Sequence, residues 1–432
     1  MLPGKIIMKS ISPILIIFSI FLLYPPGSSA QVDTIRIVEY NLLNYGNVAN
    51  PYSYKDPRLD TILQYIKPDI FGANEISSNA AHSQHILDTV LGPGWSKGSY
   101  INTNSQTQTN MLFWKNTLFD LVSETSVCNN LRDIIAYRLR FKDSITVPHD
   151  TVFITVIVGH LKAGQNNQDS IDRSLETLEV VAWLDSVGVE DNYIIMGDFN
   201  VYTSTEQCYQ NLVASASPFS KFYDPINVPG DWNADISFAS IHTQSTRDSA
   251  LSDGGATGGL DDRFDQQLVS RYILGDSAGV KYIPNTYKAL GQDGLHFNVS
   301  LIDPPINTSA PATVIQALYE LSDHLPVYAD YRFHAHPPVS IAGKTKTNYV
   351  TTVVNPLRNN ELKIVFDQQL SGETMNIELC SIQGSRILSQ KIPLTRSKLN
   401  ASINVDGIST GIYYLRIHSA SGYAYFSKIV NY

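Results

Sequence analysis

The stretch YIIMGDFN, residues 193–200, is a β-prone apolar run that stops abruptly in a glycine, a carboxylate, an aromatic ring and an amide. Polarity at the end of a buried strand is costly unless something pairs with it. The same ending recurs along the chain. IRIVEYN stops at Asn41, PDIFGANE at Glu75, FITVIVGH at His160, and ALYELSDH at Asp323 and His324. In α/β sheets functional groups collect beyond the strand ends, so these stops are expected to share one crevice. Carboxylates gathered at one point repel each other until a proton or a cation intervenes. Glu75, Asp323 and the amide oxygen of Asn41 are hard oxygen donors, with no thiolate beside them. That set suits Mg²⁺, with Mn²⁺ or Ca²⁺ as substitutes, better than Zn²⁺.

The texture around these motifs sets the fold class. From Gln31 to Phe333, β-rich apolar runs alternate with helical patterns, the pattern of an α/β domain. TVFITVIVGH (151–160) is nearly continuous in branched and aromatic residues, as in a strand buried on both faces. DSIDRSLETLEVVAWL (169–184) predicts a helix capped by Asp169, with Ile171, Leu175, Leu178 and Ala182 on its inner side. After FHAHPP (333–338) the runs become short and alternating, in ELKIVFD, NIELCSIQGSRIL, GIYYLRIHSASG and YAYFSKIVNY. A small all-β sandwich is the economical reading of that segment. The expected division is 1–30 leader, 31–333 α/β domain, 334–350 linker and 351–432 β-sandwich.

In the leader, Lys5 and Lys9 precede ISPILIIFSIFLLY, and PPGSSA follows with Ser28 and Ala30 at a small-residue cleavage pattern. A secretory signal fits; a membrane anchor is the alternative, but the run is shorter than the roughly 20 residues that span a bilayer. Removing it takes two lysines and no acid, so the formal charge moves from −9 to −11. Such a chain offers no global attraction to phosphate, which speaks against a nucleic-acid scaffold more than against an enzyme that releases its substrate. Cys128, Cys208 and Cys380 have no metal-like spacing, and a Cys128–Cys208 bridge is open after export.

Taken in order, VEYNLLNYG, DIFGANEI, GHLKAG, IIMGDFN, GGLDDRFDQQLVS and SDHLPV resemble the endonuclease/exonuclease/phosphatase superfamily, the DNase I-like metal-dependent phosphoesterases. The resemblance spans about 300 residues and implies an α/β fold, a four-layer sandwich of two β-sheets flanked by helices. It implies that Asn41, Glu75 and Asp323 serve the metal and that Asp198 orients or deprotonates the attacking water. It implies that Asn200 holds a phosphate oxygen, that His324 touches the scissile phosphate, and that Asp265 pairs with that histidine. His160 matches the second histidine of the DNase-like and phosphodiesterase-like branches, which sets DNA repair aside. Related sequences carry an aromatic or aliphatic residue after RFD, whereas Gln266 and Gln267 stand here, so a more polar or less regular strand is expected.

The loops SIHTQSTRD (240–248), LSDGGATGGLDDR (251–263) and LGQDGLHFN (290–298) offer His242, Arg247, Arg263 and His296 as phosphate contacts, or else are solvated loops with incidental charges. His82, His85, His149, His334 and His336 read as surface residues. The segment VVNPLRNNELKIVF, with IELCSIQGSRI, GISTGIYYLRIHSASG and FSKIVNY, is similar to the sorting domain of type IX secretion; a carbohydrate-binding sandwich is the alternative. The resemblances imply a secreted or surface-attached, monomeric, divalent-metal-dependent phosphodiesterase. Its partners are a nucleic-acid substrate and the type IX machinery, with no stable protein partner. Phospholipid or sugar phosphate is the second substrate class, and a silent surface binder on the same fold is the third reading.

Overall fold

The structure is a computed structural model that describes residues 32–334 except 104, 129–130 and 143–150, and residues 350–431 except 354–356, 358–359, 382–385 and 420–423. The expected leader, the linker between 335 and 349, His149, His336 and parts of the quoted VVNPLRNNELKIVF and IELCSIQGSRI segments lie outside the described residues. The chain divides into two compact units, 1–338 and 339–432.

The first unit holds two sheets. One contains β1 (Val32–Tyr45), β2 (Ile70–Ser77), β3 (Trp95–Lys97), β4 (Gln108–Lys115), β11 (Val280–Tyr282), β12 (Lys288–Ala289) and β13 (Val327–His334). Its order is β11-β13-β1-β2-β4-β3, with β12 also on β13. The other contains β5 (Phe119–Cys128), β6 (Ile134–Phe141), β7 (Phe153–His160), β8 (Tyr193–Asp198), β9 (Phe222–Tyr223) and β10 (Asp265–Ser270), in the order β5-β6-β7-β8-β10-β9. One parallel pair lies at the heart of each sheet, β1 with β2 and β7 with β8. Parallel neighbours send their carboxyl ends the same way, so His160 and Asp198 end β7 and β8 together, whereas β1 runs on past the expected stop at Asn41 to Tyr45 and β2 past Glu75 to Ser77, with a register shift between Asn41 and Tyr45.

Ile35, Ile37, Leu112, Val156, Val158, Ile194 and Met196 share one apolar core drawn from both sheets. The outer face of the first sheet is covered by α1 (Tyr52–Ile66) and α6 (Ala312–Leu321) through Leu59, Ile62, Val314 and Leu318. That of the second is covered by α3 (Asn167–Val187) and α4 (Gln207–Val213) through Val180, Leu184 and Leu212. The result is the expected four-layer α/β sandwich of two β-sheets flanked by helices. Short helices α2 (Ala80–His85) and α5 (Arg271–Gly275) lie in the connections. In the second unit, β14 (Val350–Val353), β15 (Glu361–Phe366) and β18 (Asn400–Asn404) make one sheet. The strands β16 (Thr374–Ser381), β17 (Arg386–Pro393), β19 (Gly411–Ser419) and β20 (Ala424–Asn431) make another, over a common apolar core. The alternating burial of β15 and β19 is the half-buried pattern their sequences predict.

Several details correct the sequence expectations. In α3 the cap is Asn166, and Asp169 is its third-position partner in a capping box. The expected inner residues Ile171, Leu175 and Leu178 are 43, 49 and 45% exposed, while Arg173, Glu176, Thr177, Val180 and Leu184 face inward. Polar partners decide that rotation. Arg173 donates to Glu206 at 2.7 Å and to the carbonyls of Lys162 and Gly164, and Glu176 accepts from the Lys162 amide. Strand β10 is regular despite Gln266 and Gln267, both fully buried; Gln267 donates to the carbonyls of Ile37 and Val327 and accepts from the Tyr331 hydroxyl. Cys128 and Cys208 are both buried and not bridged. His82 and His85 are half-buried against Tyr52 and Asp56, and His334 sits 3.3 Å from Asp276.

Gly197 lies opposite Gly159 in the β7–β8 pair, with φ +149°. A Cβ there would stand 1.7 Å from the Gly159 carbonyl oxygen, so the glycine of IIMGDFN is what lets the two strands close. Gly197→Ala should therefore lower unfolding stability by about 3 kcal/mol in urea titrations, through overpacking and strain. Leu175→Ala should move stability by less than about 0.5 kcal/mol, and Leu184→Ala should cost about 3 kcal/mol; the reverse order would mean α3 is turned the other way.

Candidate active site

The five polar stops do converge. Glu75, with φ +53°, breaks the in-out alternation of β2 and swings its carboxylate toward the end of the second sheet. Its Oε1 lies 3.9 Å from His160 Nε2, which is 3.4 Å from Asp198 Oδ2. Ligand atoms of Glu75, His160 and Asp198 all fall within 4.8 Å of one another. Asn41 donates its Nδ2 to Asp198 Oδ2 at 3.0 Å and accepts the Leu43 amide on Oδ1. Its amide nitrogen, rather than the expected oxygen, thus faces the carboxylates. Asn200, with φ +50°, donates its backbone amide to Asp198 Oδ1 at 3.0 Å and its side chain to the Leu161 carbonyl.

On the opposite side, His324 Nδ1 is 2.8 Å from Asp265 Oδ2, and its Nε2 is 3.6 Å from Asp198 Oδ2. Asp323 accepts the Ala256 amide on Oδ2 at 2.7 Å, while its buried Oδ1 has no partner among the described residues. The SDH turn is tied to the Asn41 strand by Ser322, whose hydroxyl donates to the Asn41 carbonyl at 2.7 Å and accepts the His324 amide.

Burial and charge divide the roles of the titratable groups. Burial raises Asp198 to about 7, with His324 pulling it down and Asp265 pushing it up. Glu75 is also raised, by burial and by Asp323. Burial disfavours a charged His324, but Asp265, Asp198 and Asp323 outweigh it and hold the imidazole protonated well above its ordinary range. His160 goes the other way, held neutral by burial, Arg132 and His324. Two raised acids and a partnerless carboxylate oxygen lie beside Glu75, His160 and Asp198, whose ligand atoms are close enough together to hold one metal ion.

The loop residues do not join this cluster. Arg247 is fully buried and donates to Asp253 at 2.5 Å and to the Tyr319 carbonyl. Arg263 grips Asp224 with both terminal nitrogens, at 2.8 and 3.0 Å. His242 bonds the Trp232 carbonyl, and His296 lies between Asp293 and the Asp303 carbonyl. All four expected phosphate contacts hold loops in place instead, because a buried polar head must find partners within the protein. Other residues were not anticipated. Asn74 accepts the Asp198 amide at 3.1 Å and donates to Asn110, linking the sheets beneath the site. The Gln244 side-chain amide lies 2.7 Å from His324 Nε2 and 3.3 Å from Asp323 Oδ2. Arg132 lines a polar pocket with Gln106, Gln108, Asn110 and His160. Asn74 had a signal in standing beside Glu75; Gln244 and Arg132 had none, since only the loop paths bring them in.

The family profile described as a secretion system C-terminal sorting domain matches residues 355–431. No curated protein matches the chain. Similar solved structures include an endonuclease/exonuclease/phosphatase from Bacteroides vulgatus, at 17% identity and TM-score 0.45, covering 70% of this chain and 100% of that one. A mannosyl-6-phosphatase of Bacteroides thetaiotaomicron VPI-5482 is similar at 16% and 0.44, covering 69% and 99%. TDP2 of D. rerio, complexed with single-strand DNA product, is similar at 13% and 0.44, covering 69% and 98%. The profile match makes residues 355–431 a secretion sorting domain, and the protein a cargo of type IX export that is secreted or held at the cell surface.

Proposed function

We propose that residues 32–334 form a divalent-metal-dependent phosphodiesterase acting outside the cell, with extracellular nucleic acid as its first substrate. One observation carries this reading: Glu75, His160 and Asp198 converge within 4.8 Å in front of the Asp265–His324 pair. Phosphoester hydrolysis builds negative charge on the phosphoryl and leaving oxygens. His324, kept charged by Asp265, is placed to donate a hydrogen bond to such an oxygen. Asp198, poised near neutral pH, is the group to orient or take a proton from water. His160, held neutral, can accept a hydrogen bond or offer a lone pair. A bound divalent ion would supply Lewis-acid stabilisation of the developing charge. Glu75, Asp198 and His160 would hold it, with the charge of Asp323 beside them, and Asn41, its amide nitrogen on Asp198, would brace that carboxylate.

A second reading, a small sugar-phosphate ester, is favoured by one observation. Arg247 and Arg263 are both withdrawn into buried ion pairs, which leaves less positive charge for tracking a polyanionic backbone. The full chain offered plasmid DNA, RNA, bis-p-nitrophenyl phosphate and mannose 6-phosphate separates the two. Turnover of nucleic acid supports the first, and turnover of the monoester alone supports the second. Failure on all four with Mg²⁺ and with Mn²⁺ rejects both.

Chelation with EDTA should abolish turnover, and Mg²⁺ or Mn²⁺ should restore it. Asp198→Asn should cost about 10² to 10⁴ in kcat while leaving the thermal midpoint near that of the wild type. Asp265→Asn removes the main charge that keeps His324 protonated. The donor form is lost as pH rises through the pKa of His324, so the alkaline limb of the kcat/KM profile should move to lower pH in this variant. An unmoved limb would sever His324 from the reaction.

A further inference from the structure

Lys55 is a charged group that the chemistry above does not use. It sits in the first half of α1 and is fully buried, which lysines almost never are without a paired charge. Its Nζ donates to the carbonyl of Leu42 at 3.2 Å and to that of Leu321. Leu42 follows Asn41, and Leu321 ends α6 two residues before Asp323. One amine thus spans the stretch of β1 that carries Asn41 and the turn that carries Asp323–His324. The charged groups that face it are Asp253 and Arg247 from the loop before β10, Asp323 from the turn after α6, and Glu75 from β2.

Two facts about this amine point the same way. An ammonium has three N–H donors and a neutral amine has two, and the acceptors on hand are two carbonyls. Burial also draws the group down to about 7, against the pull of Asp253. The charged form therefore has one donor in excess and is sustained by the negative charge of the neighbouring acids. A dication among Glu75 and Asp323 would cancel that charge.

We propose that Lys55 is a positioning residue of the metal site: a buried counter-cation that ties the Asn41 stretch of β1 to the Asp323–His324 turn and yields its proton when a divalent ion enters. The proton goes to solvent, and the neutral amine keeps both carbonyl bonds, so the two segments hold their spacing through the exchange. This inference rests on the reading that the cluster takes an ion. By reciprocity, affinity for the ion rises as pH rises through neutrality, because the charge opposing it disappears.

Calorimetric titration of the full chain with Mn²⁺ at pH 6 and pH 8, in buffers of different ionisation enthalpy, tests it without a substrate. Wild type should bind more tightly at pH 8 and release protons on binding. Lys55→Met and Lys55→Gln should release fewer protons and bind Mn²⁺ about tenfold more tightly than wild type at pH 6, since a like charge has gone. Variants that release as many protons as wild type, or bind more weakly at pH 6, would show the amine to be a mechanical strut only and overturn the proposal. Should neither variant fold, a wild-type lysine ¹³Cε resonance titrating near pH 7 and moving lower with Mg²⁺ sustains it, and its absence overturns it. A wild type that binds neither ion rejects the metal reading itself, and the role of Lys55 falls with it.

Discussion

Crowding of carboxyl groups at the meeting ends of two sheets is the constraint on which the rest of the site depends. Glu75, Asp198, Asp265 and Asp323 are brought to one place and largely shielded from water. Each ionised acid in such surroundings costs free energy unless a proton, a hydrogen bond or a cation meets it. Every neighbour described answers one of those acids. His324 meets Asp265, Asn41 and the backbone of Asn200 meet Asp198, the Ala256 amide meets Asp323, and the Asn44 amide meets Glu75. What is left over is one oxygen each of Asp323 and Asp265 and the raised acids themselves, a deficit of the kind a bound cation would offset.

The sandwich makes that crowding possible. Each sheet has one central parallel pair, so β7 and β8 deliver their last residues, His160 and Asp198, and β1 and β2 their carboxyl-terminal halves, with Asn41 and Glu75, to the same place. Bringing β7 and β8 so close needs a residue without a side chain at Gly197, and Asn74 links the two sheets just beneath the site. Ser322 then fixes the SDH turn to β1. The geometry of this cluster is held by packing and backbone contacts of the strands and turns around it, which leaves it little room to rearrange.

The charged loop residues serve the same end at a distance. Arg247 with Asp253, Arg263 with Asp224 and Arg173 with Glu206 are ion pairs with a buried arginine, bracing the segments that border the site. Removing one partner from such a pair leaves an uncompensated charge, so they fix loop paths more than they add net stability. Their burial also shapes what the site can attract, because cations locked in pairs do not steer a polyanion.

The fold class and the chemistry-bearing strand ends were legible in the sequence because both are local patterns. Apolar runs of strand length, helices between them and the abrupt polar stops at Asn41, Glu75, His160, Asp198 and His324 are written in consecutive residues. The alternating strands of the sorting domain were legible for the same reason. Tertiary structure alone decided the rest. Ile171, Leu175 and Leu178 form a helical stripe that periodicity points inward, yet the hydrogen bonds of Arg173 and Glu176 to a neighbouring loop turned that stripe outward. Arg247, Arg263, His242 and His296 look like exposed loop charges in sequence, and only the folded chain supplies the buried partners that claim them. Lys55 comes from a helix with no motif of its own, and Gln244 from a loop whose other residues looked the better contacts, because proximity across the fold is a property of packing and not of residue order.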